Sequence, residues 1–584
     1  MNTGVLRAPG LSTVAGAVKL EKRKKPARHG LGERAPLGLL LGLGLIALLL
    51  GIALPVGSLL GLSFFGSEGQ FSGLANHRAY AASPNVGASL FNSLWLAGLS
   101  ALICVVLAYG YAFALTQTCM PGRRFFKAVA LVPVLAPSLL MAISLIYLFG
   151  NQGLLKGCLI WLPGDPSIYG PLGIVTGSVL WTFPHALLIL LTALGTSDGR
   201  LHEAAACLGA GRWRSFCTVT LPASRYGLVI SFMVVFVLVI TDFGVPKVIG
   251  GNTQVLATDI YKQVIGQQKL QMGAVVALVL LVPALLAFWV EQRLRAAQGA
   301  SLTLRAVPYR PGASARLDLG MLIYCSVIAL MLLGVIGVAV FASLATYWPY
   351  QLAPSLNNFR FDMMDGGGWL SYGNSIKLAL GTALLGTLLS FLTAYLVEKP
   401  SRFGPARALL NAMASLPMAV PGLALGVGYI LFFNAAWNPL HFLYGSLGLL
   451  TICTVAHFFS VAHLTQVTAL RQLDREYELV AQSLGRPFWV TLLRVHLPIC
   501  VPTLIQVAGY FFVNALTTVS AVVFLYSPET TLASVAVLSM DDAGDIGPAA
   551  AMAVLIFVTA ATGRLILGGL ERLLINHTQR WRAS

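Results

Sequence analysis

The chain has 584 residues, of which 57% are hydrophobic and only 10% charged, and its 38 Lys and Arg against 21 Asp and Glu give a formal net charge of +17. A soluble globular chain carries roughly a quarter charged residues, so this composition excludes an ordinary water-soluble fold and directs the reading to a lipid bilayer. The positive charge would suit a nucleic-acid binder, but its distribution along the chain excludes that partner.

Spanning a hydrocarbon core of about 30 Å takes roughly 20 apolar residues as a helix, because every backbone donor and acceptor must be satisfied within the segment. The chain opens on a basic tail, residues 1–35, with Lys19, Lys22, Arg23, Lys24, Lys25 and Arg28, read as an anchor beside anionic lipid. The first apolar run, 36–65, exceeds the roughly 7 to 15 residues of a secretory signal and lacks a convincing cleavage site, so it is taken as a permanent anchor. Further runs lie at 90–118, 127–150, 171–196, 223–246 and 272–292. A second set follows at 317–346, 372–397, 407–435, 446–470, 499–526 and 548–570. The expectation is an all-α integral membrane protein of about twelve helices.

With the N-terminus inside, the loops assigned to the cytoplasm hold 31 of the 38 Lys and Arg, and the outer segments hold seven. That bias sets the topology of membrane proteins, and it places both termini in the cytoplasm of a multi-pass plasma-membrane protein. Of the eight cysteines only Cys158 faces the oxidising side in this arrangement, so no disulfide framework is implied. No cysteine pair has metal-ligand spacing, and the histidines are scattered.

The two sets of helices share landmarks in the same order. Asn92-Ser93-Leu94 matches Asn374-Ser375-Ile376, Pro133 and Pro137 match Pro417 and Pro421, and Tyr169-Gly170-Pro171-Leu172-Gly173 matches Tyr444-Gly445-Ser446-Leu447-Gly448, at an offset of 275 to 284 positions. An even number of helices per half makes the repeat parallel rather than inverted. The paired prolines are expected to kink or break the third and ninth helices, since proline removes a helix hydrogen bond and clashes with the preceding turn. The resulting division is a tail (1–35), a first lobe (36–297), a polar Pro- and Gly-containing linker (298–316) and a second lobe (317–584).

The most informative loop follows the fourth helix. Glu203-Ala204-Ala205-Ala206-Cys207-Leu208 is helix-forming with small side chains that admit a close neighbour, and Gly209 can end the helix at positive φ. Arg212, Trp213 and Arg214 add charge and an aromatic anchor, and Val219-Thr220-Leu221-Pro222 closes the loop. A short rigid helix between two membrane helices suits the transmission of force from a soluble partner. The second half carries Glu478, Ala481 and Gly485, then nine residues, then Val495-His496-Leu497-Pro498; Leu479 and Val480 stand where Glu and Ala would repeat, so the two contacts are expected to be unequal.

This pattern resembles the signature of the binding-protein-dependent permeases of ATP-binding cassette importers: Glu-Ala-Ala, three residues, Gly, nine residues, an aliphatic residue, one more, then Leu-Pro. The resemblance covers roughly 88–290 and 370–570, and it implies a type I importer fold with six helices per lobe. It also implies two copies of an ATPase subunit at the docking loops, with ATP and Mg held there, and a periplasmic binding protein at the outer face of a bacterial inner membrane. The chain has no Gly-x-x-x-x-Gly-Lys-Ser/Thr phosphate loop, no cofactor of its own is expected, and no paired nucleophile and base suggests an enzyme. An ion-driven secondary transporter would explain twelve helices in two parallel repeats, but not the docking loops.

Double-length permeases of this layout resemble two groups, for 2-aminoethylphosphonate and for ferric iron. Thr241 to Gly251, with Ala257 to Gln263 and Gln267 to Gly273, looks closer to the former. Asp242 and Lys247, near the outer end of the fifth helix, would offer opposite charges to a zwitterion, because ionisable groups near membrane depth are functional candidates. The plainer reading is that they mark the helix boundary or pair with one another. The acids Asp541, Asp542 and Asp545 are assigned to an outer loop.

Overall fold

The computed structural model describes residues 34–66, 69–159, 167–301, 309–400 and 402–578. The basic cluster of the tail and residues 302–308 of the linker lie outside the described residues. Among the described residues nine helices are long and apolar enough to cross a membrane, and three bent pairs bring the number to twelve. Among the described residues the fold is all-α apart from one antiparallel hairpin, Ala345–Tyr347 with Gln351–Pro354, and an isolated bridge between Phe65 and Phe71.

The sharpest bends fall at the matched prolines. Arg123–Leu135 and Ser138–Phe149 meet at 102°, and Gly404–Ala419 and Gly422–Phe433 at 114°. Pro133 and Pro417 sit in 3₁₀ turns, and the residues before Pro137 and Pro421, Ala136 and Val420, are extended. A residue preceding proline is driven out of the helical region by the proline ring. Proline at this spacing therefore breaks the span and restarts it, where a single internal proline such as Pro184 is absorbed within helix Pro171–Gly195.

The halves do not form separate bodies. Helix Ala35–Leu62, assigned by sequence to the first lobe, packs on Gly404–Ser415 and Gly422–Phe433 of the second. At its π-helical turn, Leu49–Ala53, the Gly51 carbonyl accepts a hydrogen bond from the Tyr429 hydroxyl at 2.5 Å. Reciprocally, helix Ala315–Leu344 packs on Val86–Gln117, Arg123–Leu131 and Ser138–Phe149 of the first half, as well as on Ile546–Thr578 of its own. There the Tyr324 hydroxyl donates to Leu107 O at 2.8 Å, and Asp318 accepts from the Cys119 amide at 2.9 Å. The first helix of each half thus lies against helices of the other half. Helical structure also extends into the expected linker, since one helix ends at Ser301 and the next starts at Ala315.

Close packing makes the exchanged helix sensitive to volume. A Cβ at Gly428 would lie 2.5 Å from Pro55 O, whereas one at Gly57 on the exchanged helix would meet nothing within 4 Å. Gly428→Val is expected to cost about 1–3 kcal/mol by overpacking, read as a lowered unfolding temperature in detergent, with Gly57→Ala close to neutral.

Beyond the helices Arg225–Thr241 and Leu497–Thr517, the expected apolar runs continue to 246 and 526, but the structure ends them early and folds the chain back in short segments. The Asn-Ser landmarks hold these segments. Asn92 donates to Gln254 O at 3.0 Å, and Ser93 Oγ accepts from the Leu256 amide at 2.8 Å. Asn374 donates to Glu529 O at 2.8 Å, and Ser375 Oγ accepts from the Ala533 amide at 2.7 Å. Each serine satisfies the first orphan amide of a buried helix, Leu256–Tyr261 or Ala533–Ala543.

Candidate functional site: two docking loops and a charged closure

The first candidate docking helix, Gly199–Cys207, is capped by Asp198, whose carboxylate accepts from the Arg200 amide at 3.1 Å. Gly209 stands at φ +72°, Leu208 N donates to Ala204 O at 3.0 Å, and Ala210 N donates to Ala205 O at 2.9 Å. This left-handed stop turns the chain sharply. Ala205 and His202 face the bundle; Glu203, Ala204, Leu221 and Pro222 are exposed. Leu208 and Trp213 are 85% and 76% exposed on a segment outside the spanning helices, an apolar surface that none of the described residues covers.

The second docking helix, Glu476–Ser483, repeats the stop. Gly485 has φ +65°, Leu484 N donates to Val480 O at 3.0 Å, and Arg486 N donates to Ala481 O at 2.9 Å. Leu484 and Trp489 are exposed at the positions matching Leu208 and Trp213. A π-helical turn precedes Leu-Pro in both copies, Phe216–Thr220 and Leu492–His496, so the repeat extends to backbone irregularity. One difference follows the loops: Arg212–Ala223 and Arg225–Thr241 meet at 61°, while Phe488–Thr517 runs on as one 30-residue span.

Glu478, assigned above to the docking surface, turns inward. Its carboxylate lies 3.0 Å from Lys399 Nζ and 2.8 Å from His496 Nε2, and the outward position belongs to Leu479. The physical reason is register. Counted back from the glycine, Glu478 matches the buried His202 and Leu479 matches the exposed Glu203. The acid was displaced onto the other face of the helix.

At the opposite end of the bundle, Asp242 follows the last turn of Arg225–Thr241. Its carboxylate accepts from Ser138 Oγ at 3.1 Å and from the Val245 amide at 2.9 Å, capping the short helix Gly244–Ile249. It does not pair with Lys247, as the plainer reading allowed. Instead Lys247 Nζ reaches 2.9 Å from Asp542 Oδ1 and stands 5.3 Å from the Tyr261 ring centroid. Asp541 and Asp542 belong to helix Ala533–Ala543, not to a loop, so this ion pair joins the two halves of the chain. Tyr261 and Phe524, with ring centroids 6.2 Å apart, continue the contact.

Asp541, outside the spanning helices, has its carboxyl pushed up to about 6 by burial, with Asp542 adding and Lys247 opposing. A raised carboxyl favours the folded arrangement at low pH, fully below its ordinary value of 3.8, and this contribution is lost as pH rises through about 6. The unfolding temperature in detergent is expected to fall over that window, and Asp541→Asn is expected to flatten the fall.

Two matched halves of apolar spanning helices, each carrying the same glycine-stopped loop, have the layout of a transport permease. The chain belongs to the binding-protein-dependent transport system inner membrane component family, whose model matches residues 120–297 and 386–576. These are the permease subunits of ATP-binding cassette importers. The chain is similar to the ferric transport system permease protein FbpB of Actinobacillus pleuropneumoniae, 29% identical over 80% of this chain and 69% of that protein. It also resembles the thiamine transport system permease protein ThiP of Salmonella typhimurium, 25% identical over 69% and 74% of the two chains. The molybdenum transport system permease protein ModB of Escherichia coli matches 29% of this chain at 27% identity, covering 76% of its own length.

Sequence reasoning placed Gly209, Gly485 and the proline breaks where the backbone needs them. It missed Leu208 and Leu484, although their signal was present as apolar residues beside a glycine stop in an otherwise polar loop. It also missed Lys399, whose partner lies far away in sequence.

Proposed function

We propose that this chain forms the translocation pathway of an ATP-driven importer of 2-aminoethylphosphonate. The observation that carries the importer reading is the matched pair of docking helices, each with a left-handed glycine stop and an exposed Leu and Trp. Each would seat one ATPase subunit, two in all, with ATP and Mg held by those subunits. The docking face is cytoplasmic, since the Lys and Arg of the loops concentrate there, and both termini lie on that side of a bacterial inner membrane. A periplasmic binding protein would deliver cargo at the opposite face.

The cargo reading rests on that face. Lys247 would meet a phosphonate, and Asp541 and Asp542 beside it would meet an amine, once the halves part. Asp242 is occupied by the Val245 amide and the Ser138 hydroxyl and is not open to an amine. Ferric iron is the second reading, favoured by the likeness to FbpB; the same two carboxylates are hard oxygen donors of the type such a cation takes.

The test is uptake of labelled 2-aminoethylphosphonate and of labelled ferric citrate by cells expressing the chain with its neighbouring ATPase and binding protein. ATP-dependent phosphonate uptake supports the first reading. Iron uptake alone replaces the cargo, and uptake that persists without the ATPase overturns the importer reading.

A further inference from the structure

Beneath the second docking helix lies a cluster of ionisable side chains that the docking motif does not explain. Glu478 sits between Lys399 and His496, whose side chains are 4% and 0% exposed. The three come from three elements. Lys399 directly follows helix Gly368–Glu398, Glu478 lies on the docking helix, and His496 closes the π-helical turn at the base of the long span. Lys399 Nζ also donates to Leu473 O at 3.0 Å, and the His496 ring lies 5.6 Å from that of Tyr395.

The first half provides an internal comparison. Counting from the glycine stops, His202 matches Glu478 and Thr220 matches His496. Gln117, the last residue of helix Val86–Gln117, matches Lys399 at the 282-position offset of Asn92 and Asn374, and donates to Leu194 O at 3.3 Å near the end of helix Pro171–Gly195, while Lys399 reaches Leu473 O just past the matching helix Leu447–Arg471. All three matched residues are buried. One half therefore fills these positions with Gln, His and Thr, and the other with Lys, Glu and His. Independent drift would leave single replacements with an unpaired buried charge, which is strongly destabilising. In the second half the three side chains meet, so each replacement there bears on the other two.

We propose that Glu478 is a positioning residue for transport: it fastens the second docking helix to its lobe, so that movement of the docking helix is transmitted to helices Gly368–Glu398 and Phe488–Thr517. The carboxylate joins all three elements at one point, and the second span runs unbent from that point, whereas the first half has its 61° bend there. In the first half the neutral residues have partners of their own: His202 lies 3.5 Å from Ser197 Oγ with its ring 4.1 Å from that of Tyr309, and Gln117 donates to Leu194 O. This inference rests on the importer reading.

The test uses the whole complex of permease, ATPase and binding protein in proteoliposomes, with labelled 2-aminoethylphosphonate and ferric citrate as probes. In Glu478→Gln the ATPase is expected to stay bound and to hydrolyse ATP within about twofold of the wild type, while uptake per ATP falls about tenfold; the triple variant Lys399→Gln, Glu478→His, His496→Thr, which installs the neutral set, is expected to recover uptake per ATP to within about twofold. Wild-type uptake per ATP in Glu478→Gln overturns the proposal, as does a triple variant that assembles but stays uncoupled. If Glu478→Gln fails to assemble, the triple variant alone decides. Wild-type uptake that needs no ATP would instead overturn the importer reading, before any variant is compared.

Discussion

Gly209→Pro is expected to abolish ATP-driven uptake, by about a hundredfold or more, while the chain still reaches the membrane in normal amount. Proline is locked near φ −65°, and Gly209 stands at φ +72° with its amide donating to Ala206 O at 3.0 Å. The substitution removes both the turn and the bond, so the exposed Leu208 and Trp213 would be presented in the wrong direction. The spanning helices on either side keep their own packing, which is why insertion is expected to survive. Gly209→Ala separates two causes. A Cβ there meets nothing within 4 Å of this chain, so the internal cost is limited to left-handed strain of about 1–2 kcal/mol. A loss of ATPase binding well beyond that strain would locate the remainder in the partner's surface, which then needs the space a glycine leaves. Co-purification of the ATPase with each variant is the measurement, and normal uptake by Gly209→Pro would remove the docking loop from the mechanism.

The limits of the sequence follow from the kinds of signal it carries. Spans, proline breaks and glycine stops are local consequences of hydropathy and backbone stereochemistry, so they could be read from short windows. The exchange of first helices could not, because Tyr429 and Gly51 meet only after the whole bundle is assembled. Periodicity records that a face is apolar, not which half covers it. Glu478 shows a related limit. One position of displacement along a helix turns a side chain by about 100°, and the motif in its linear form does not distinguish the docking face from the buried one. The partner that settles its direction, Lys399, is at the end of a different span. Asp242 follows the last turn of Arg225–Thr241 and Lys247 lies within the next short helix, and their partners, Ser138 and Asp542, come from elsewhere in the fold.

Reversing the Lys247–Asp542 pair should discriminate a closure between halves from an incidental surface contact. Lys247 is 24% and Asp542 47% exposed at the side chain, so the pair is screened and worth on the order of 1 kcal/mol. Under the importer reading this contact holds the far face shut. Lys247→Asp places three acids together, counting Asp541, and is expected to favour parting of the halves. Basal ATP hydrolysis, measured without binding protein, should then rise about fivefold, the shift that on the order of 1 kcal/mol produces in a two-state equilibrium. The double variant Lys247→Asp, Asp542→Lys restores opposite charges across the same gap and is expected to return basal hydrolysis to within about twofold of the wild type. High salt should raise the wild-type basal rate and change the single variant much less, because the attraction it screens is already gone. A single variant with unaltered basal hydrolysis would mean that the pair bridges the halves without holding them, and that the aromatic contact of Tyr261 with Phe524 carries the closure.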